Sequence, residues 1–353
     1  MKVVERIEAF KRFGSELRLI LDKDGQHRYA GVFHDWCSMA QANNAWFSPE
    51  NVEFRVQEIA RQLEQTMLEK WLEKYELADD FSDLTIGVIA AGNIPLAGFD
   101  DMMHVILAGH NYVGKLSSDD KILLPRMAEL LCEQDIRLKG KIVFTEEKLG
   151  EISAVIATGS NNSSRYFEYY FSKYPHVIRK NRNSVAVLDG NESDADLKNL
   201  GEDVFRYFGL GCRNVTKFFV PEGYTFDRFF EAIYPWGEAL QQNRKYMNNY
   251  DYNRTIYMLN GEPLLDNNFL VIRREVGMSS PPGVLYFEEY TSLDEVKLRL
   301  RGDKEQIQCI VSNLPIDHAI IPGNAQKPSP WDYADGLDTL DFLISLRSSS
   351  HKQ

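Results

Sequence analysis

A cysteine set among small residues is the first candidate for chemistry. Cys212 lies in Gly209-Leu210-Gly211-Cys212-Arg213-Asn214. Glycines ahead of a thiol let a substrate approach the sulfur, and a cation such as Arg213 beside it favours the thiolate. The competing reading is an inert buried cysteine, a common fate of this residue type. That reading is stronger for Cys37, Cys132 and Cys309, which sit in apolar or helical settings. In Ala90-Ala91-Gly92-Asn93-Ile94-Pro95-Leu96 an apolar run ends on a glycine and presents one amide side chain. Asn93 can donate a hydrogen bond to a developing oxyanion or simply satisfy a turn. Thr158-Gly159-Ser160-Asn161-Asn162-Ser163-Ser164 falls between a strand and a helix. Donors at a helix start suit a pyrophosphate, but G-x-G-x-x-G is absent and a polar helix cap explains the stretch as well. Lys115, in Lys115-Leu116-Ser117-Ser118, can bond a ribose or phosphate, or be an ordinary solvated lysine. The seven histidines show no H-x-x-x-H or H-E-x-x-H spacing, so no metal site is expected.

These residues need strands and helices to carry them. Before residue 80 the chain reads mostly as helix: Val4, Ile7, Phe10, Phe13, Leu17 and Ile20 fall at helical spacing. Ser48-Pro49-Glu50 opens another helix, expected to run from Pro49 to about Leu77. From Leu84 short β-branched runs alternate with helical stretches. Strands are expected at Leu84–Ala90, from Tyr112-Val113 to a close at Lys115-Leu116-Ser117-Ser118, and at Lys141–Phe144, Ala154–Ala157 and Ser184–Leu188. Helices are expected at Asp100–Ala108, Pro125–Leu131 and Arg165–Tyr174, with the aromatics of the last packed in the core. That alternation implies parallel β-α-β units and a doubly wound sheet, an α/β fold. A second α/β unit follows. Its helices are Leu197–Phe208, Phe226–Tyr234 and Leu293–Leu300, and its strands are Thr216–Val220, Asn268–Arg273, Gly283–Tyr290 and Gln308–Ser312. The expected organisation is a helical segment over residues 1–80 and a cofactor-binding domain over 81–190. A catalytic domain over 191–320 and a tail over 321–353 follow, the tail returning to the cofactor domain or making a dimer contact.

Composition narrows the class. The 353 residues suit about two domains. An apolar content of 44% excludes a disordered chain. A formal charge of −12 disfavours nucleic-acid binding. Four scattered cysteines, no signal-like N-terminus and no apolar run of membrane-spanning length point to a cytoplasmic protein.

Singly weak, these signals are stronger in order. Asn93-Ile94-Pro95-Leu96, Ala108-Gly109-His110-Asn111-Tyr112-Val113-Gly114-Lys115-Leu116-Ser117, Thr158-Gly159-Ser160 and Gly209-Leu210-Gly211-Cys212 follow one another as the functional elements of the aldehyde dehydrogenase superfamily do. With Arg179-Lys180-Asn181-Arg182-Asn183-Ser184-Val185-Ala186-Val187-Leu188 and Gly211-Cys212-Arg213-Asn214, the chain most resembles the acyl-CoA reductases of the LuxC type, over roughly residues 84–345. The resemblance implies an aldehyde dehydrogenase-like fold, Cys212 as nucleophile and Asn93 as oxyanion donor. It implies cofactor contacts from Ala91, Lys115, Ser117, Ser118, Thr158, Gly159, Ser160, Asn181 and Glu275.

Departures sharpen the expectation. Arg179 stands near the position of the glutamate that activates water in hydrolytic members, and no acid lies from there to Leu188. Loss of that base favours transfer or reduction over hydrolysis. Around Glu275 the Glu-x-Phe-Gly-Pro motif is degraded to Glu275-Val276-Gly277-Met278-Ser279-Ser280-Pro281. Ser118 replaces the glutamate common in NAD-preferring members, and Lys115 can pair with a 2′-phosphate, which favours NADPH with NADH left open. The expected activity is reduction of an acyl-CoA thioester to the aldehyde, with a fatty acyl chain. An acyl-phosphate reductase and a non-catalytic acyl-binding partner protein are the alternatives. An acyl-activating or acyl-transfer protein as partner and a homo-oligomeric state complete the expectation.

Overall fold

The computed structural model describes residues 1–22 and 27–350. They form two compact units: one runs from Met1 to Asn181 and takes in the chain again from Ser329, and the other is Arg182–Pro328.

The first unit opens with four helices, α1 (Val3–Leu21), α2 (Ala30–Asn43), α3 (Pro49–Gln62) and α4 (Gln65–Leu72). The single helix expected from Pro49 to Leu77 is therefore broken. Ser48 caps its start, accepting from the Asn51 N–H, but at Glu64 the backbone swings to the extended region. The swing frees the Ala60 carbonyl, which Arg18 of α1 takes at 2.9 Å. It also accompanies a close approach to α1, where a Cβ on Gly14 would lie 2.7 Å from the Leu63 Cβ. The apolar stripe survives the break: Val52, Val56, Ile59, Leu63 and Trp71 are all buried.

Then follow β1 (Thr85–Ile89), α5 (Phe99–Leu107), β2 (Asn111–Lys115), α6 (Leu123–Gln134), β3 (Ile142–Thr145), β4 (Ala154–Thr158), α7 (Asn161–Phe171) and β5 (His176–Arg179). The five strands are parallel in the order β3-β2-β1-β4-β5. Chain direction across the sheet reverses between β1 and β4. Ligands of doubly wound sheets bind outside the carboxyl ends of the strands at such a switch point, and the Ala90–Leu96 and Thr158–Ser160 loops both leave from there. The aromatics of α7 do not form core: Tyr166, Tyr169 and Tyr170 are 67%, 80% and 68% exposed. The helix packs beside the edge strand β5 and turns Ser164 inward instead.

The second unit contains β6 (Asn183–Val187), α8 (Asp194–Phe205), β7 (Val215–Pro221), α9 (Asp227–Ile233), α10 (Trp236–Gln242), α11 (Arg244–Leu259), β8 (Leu265–Asp266), β9 (Val271–Arg274), β10 (Val284–Tyr290), α12 (Leu293–Gly302) and β11 (Ile307–Val311). Its sheet runs β11-β6-β7-β10-β9-β8, parallel except for the β8–β9 pair. The near-continuous burial of β6 and β7 is what a parallel sheet covered on both faces requires. From Ser329 the chain returns to the first unit and ends in α13 (Thr339–Ser350), whose Leu340, Leu343 and Leu346 enter its core. No helix among the described residues is long and apolar enough to cross a membrane.

Candidate catalytic and cofactor residues

In the first unit the loops after β1 and β2 are pressed together. A Cβ on Gly92 would lie 2.3 Å from the Ser117 Oγ, so only glycine fits there. Ala90, Ala91, Gly98, Tyr112, Lys115, Ser117 and Asp120 line one small recess at this end of the sheet. The Tyr112 hydroxyl is buried there without a protein partner. Gly114 leaves the space its ring occupies, since a Cβ there would meet the hydroxyl at 2.4 Å. Ser118 is exposed, and its carbonyl accepts from Asn43 Nδ2 at 3.2 Å. Asn93 is exposed on the turn that follows Gly92.

After β4, Ser160 caps α7, its Oγ accepting from the Ser163 N–H at 3.2 Å. Gly159 is needed for the approach of this helix, because a Cβ would sit 2.9 Å from the Phe167 ring and from the Ser163 Cβ. Thus the capping reading of Thr158–Ser160 holds, and the N–H groups of an eleven-residue helix open at the switch point. Asn181 is exposed at the end of this unit.

Arg179 is not a stand-in for a water-activating base. Both its terminal nitrogens donate to the Asp101 carboxylate at 2.8 Å, and Nη2 also donates to Thr339 Oγ1 at 2.7 Å. The pair is buried and holds β5, α5 and α13 together. His104 and His110 are likewise core groups. His104 lies between the Trp71 and Tyr333 rings, and His110 bonds Ser82 Oγ and the Leu343 carbonyl. Burial lowers the pKa of both, that of His110 to about 4.

In the second unit the segment before Cys212 is strained. Helix α8, expected to reach Phe208, stops at Phe205 because Tyr207 and Phe208 both take left-handed backbone, with φ of +55° and +57°, and Gly209 follows at +77°. Each non-glycine residue there costs roughly 1–2 kcal/mol. The cost is offset by burial of both rings, each contributing roughly 1.5–3 kcal/mol. Asn214 pins the turn from below. Its Oδ1 accepts the Gly211 N–H at 2.8 Å, and its Nδ2 donates to the carbonyls of Asp203, Val204 and Arg206 at 3.1, 3.2 and 2.7 Å. These are open carbonyls at the end of α8, so one fully buried amide caps the helix and anchors the cysteine loop together. Ser184 of β6 donates to the Cys212 carbonyl at 3.0 Å and touches Cys309 Sγ at 2.9 Å. Arg213 Nε donates to the Ala325 carbonyl, and Asp203 accepts the Gly323 and Ala325 N–H groups at 2.6 and 2.9 Å. Cys212 itself is half-buried.

Asn214→Asp is expected to lower the unfolding free energy by about 3 kcal/mol. A carboxylate oxygen would face three carbonyls, leaving buried groups unsatisfied. Urea denaturation of the two proteins measures this, and an unchanged midpoint would dismiss the anchor.

Glu275 is turned back onto its own loop. Its carboxylate accepts the Val276 and Gly277 N–H groups at 2.9 and 3.3 Å and Arg273 Nη2 at 2.8 Å. Lys217, fully buried on β7, donates to the Glu275 and Val276 carbonyls at 3.0 and 2.9 Å and to Glu288 at 2.6 Å. Burial holds its ammonium below the ordinary lysine pKa, with Glu288 opposing. Sequence reasoning passed over Lys217, Asn214, Ser184 and Asp120. Only Asn214 carried a signal, an amide two residues past the thiol. Among the described residues no three His, Cys, Asp or Glu converge as metal ligands do.

The structure therefore gathers Ala91, Gly92, Lys115 and Ser117 at the ends of β1 and β2, and Thr158–Ser160 lie at the end of β4, the other neighbour of β1. Cys212 and Glu275 belong to the other unit.

Solved structures share this fold. Aldehyde dehydrogenase 21 of Physcomitrella patens, in complex with succinate, superposes with a TM-score of 0.69 at 12% identity, covering 98% of this chain and 84% of its own. The NAD-dependent aldehyde dehydrogenase of Sinorhizobium meliloti gives 0.63 at 12%, covering 88% and 70%. The Mycobacterium tuberculosis aldehyde dehydrogenase complexed with NAD+ gives 0.58 at 12%, covering 86% and 73%. At such identities the likeness shows the fold alone. No curated protein matches the chain. The family model described as acyl-CoA reductase (LuxC) matches residues 26–244, more than half of the chain. Together with the shared fold, that match makes this chain an oxidoreductase that belongs to the acyl-CoA reductase (LuxC) family.

Proposed function

We propose that the protein reduces a fatty acyl-CoA thioester to the aldehyde through an acyl-enzyme on Cys212, with NADPH as the reductant. The observation that carries this reading is the built setting of Cys212: a left-handed turn, pinned by Asn214 and Ser184, that presents a half-buried thiol. Strained backbone held so firmly is characteristic of sites of chemistry. The Cys212 thiolate attacks the thioester carbonyl, forming a new C–S bond. The Asn93 side-chain amide and the Cys212 N–H hold the oxyanion. Coenzyme A departs as its thiolate with the bonding electron pair, leaving the acyl group on Cys212. With no acid between Arg179 and Leu188, and Arg179 spent on Asp101, this stretch of sequence supplies no base to direct water at that acyl group.

Residues of the first unit suit a dinucleotide: a recess with an unpartnered Tyr112 hydroxyl, the Gly92–Ser117 close approach and the α7 N-terminus. Ala91, Lys115, Ser117, Ser118, Thr158, Gly159 and Ser160 would hold it, with Asn181 at the rim. Lys115 would face a 2′-phosphate that Ser118 does not repel. Glu275 would contact the nicotinamide ribose through an oxygen already shared with Arg273 or with its own loop N–H groups. When bound, the cofactor supplies the hydride that takes the acyl carbonyl to the aldehyde level. The Cys212 sulfur then leaves with its bonding pair and is ready for the next thioester.

A titration with acyl-CoA esters of graded chain length, following NADPH and NADH absorbance and the intact mass of the protein, tests this. The expected result is an acyl adduct on Cys212 and NADPH consumption that rises with chain length. Turnover of acyl phosphates but not of coenzyme A esters would overturn the substrate assignment.

A further inference from the structure

The loop that carries Asn93 ends in a residue under constraint. Leu96 is fully buried with φ of +56°, and its N–H donates to Asp120 Oδ2 at 2.9 Å, across 24 residues. The other oxygen, Oδ1, accepts the Leu123 N–H at the start of α6 at 3.3 Å. The Asp120 N–H in turn donates to the Ser117 carbonyl at 3.2 Å, and the Asp119 N–H donates to Ser117 Oγ at 3.2 Å. Asp120 is thus the join between the loop after β1 and the loop after β2, at the place where Gly92 meets Ser117. A helix cap alone explains the bond to Leu123, since serine or threonine does that work at lower desolvation cost. It does not explain a buried carboxylate whose second oxygen reaches another loop.

We propose that Asp120 is a positioning residue, its carboxylate tying the Asn93 turn to the Ser117–Ser118 loop so that the oxyanion amide is held in register with the cofactor-contacting segment. The inference rests on the reading of Asn93 and Cys212 given above. Burial pushes the Asp120 carboxyl up to about 6, against the pull of the Leu96, Leu123 and Leu124 N–H groups. Lys115 and the Tyr112 hydroxyl share its recess, Asp119 and Lys121 flank it in the chain, and the start of α6 meets it with Leu123 and Leu124. Protonation as the pH falls through about 6 weakens its hold on the Leu96 N–H.

The test uses the full chain and the rate of Cys212 acylation by a long-chain acyl-CoA, read by intact mass without any nicotinamide. Asp120→Ser keeps a short acceptor for the Leu123 N–H but does not reach Leu96. Asp120→Asn is the isosteric second variant should the first fold poorly. Either is expected to slow acylation about tenfold, the effect of one lost hydrogen bond to a charged group. In an Asn93→Ala background the same change is expected to cost less than about twofold, because residues acting through one another are not additive. The ratio of wild-type to variant rates is expected to shrink as the pH is lowered through about 6. A loss of equal size in both backgrounds, a ratio independent of pH, or a lowered unfolding midpoint with unaltered acylation would each overturn the positioning role alone. A wild-type protein that is not acylated, or an Asn93→Ala variant as fast as wild type, would overturn the reading of the site and this role with it.

Discussion

Cys212→Ala is expected to abolish the acyl adduct and to reduce aldehyde formation by on the order of 10⁴–10⁶, the scale seen when a nucleophile that works as part of a unit is removed. The substitution deletes one sulfur and leaves the turn intact. Gly211 stays bonded to Asn214, and the carbonyl of residue 212 still accepts from Ser184. The unfolding midpoint is therefore expected to stay close to wild type, which separates lost chemistry from lost structure. Mass spectrometry after incubation with acyl-CoA reads the adduct, and denaturation reads the fold. An adduct of undiminished stoichiometry in the alanine variant would mean that another nucleophile carries the acyl group.

Asn93→Ala should slow acylation by about 10²–10³, the usual loss for a single oxyanion donor. The effect should fall on the acylation rate with little change in acyl-CoA affinity, because the amide is stronger for the charged tetrahedral state than for the ground-state carbonyl. Asn93 is exposed, so stability should change little. Pre-steady-state acylation at several thioester concentrations separates the two quantities. A higher half-saturation with an unchanged maximal rate would assign Asn93 to substrate binding instead.

Much of the architecture was readable because it depends on local physics. Ile86–Ile89, Ala154–Ala157 and Val185–Val187 are short β-branched or small apolar runs, and each forms a buried parallel strand. Ser48 and Ser160 announce their helices by capping chemistry. What escaped depends on distant partners. Strand β5 is only His176-Val177-Ile178-Arg179, and its register is set by β4 and by an arginine that needs Asp101. The long α11 is rich in Tyr and Asn, with apolar spacing too weak to read. The break at Leu63 goes with a close approach to Gly14, and the turn of the left-handed pair Tyr207–Phe208 is held by the amide of Asn214. Residue type alone puts the tyrosines of α7 in the core, yet the helix lies beside an edge strand and Tyr166, Tyr169 and Tyr170 face water. For the site, residue type and order singled out Cys212, Asn93 and the loops around them. The groups that hold those loops, Asn214, Ser184 and Asp120, act through bonds that only folding creates.

The path of the chain has a consequence for biosynthesis. Thr339, Leu340 and Leu343 complete the unit that begins at Met1, while Arg182–Pro328 forms a closed body in between. A ribosome therefore releases everything the inserted body needs before it releases the last helix of the older one. Until then Arg179 and Asp101 lack their threonine and an apolar slot stands open, a condition that exposes nascent chains to chaperones. A premature stop codon just after Pro328 would accordingly leave the body that begins at Met1 incomplete and spare the one that carries Cys212.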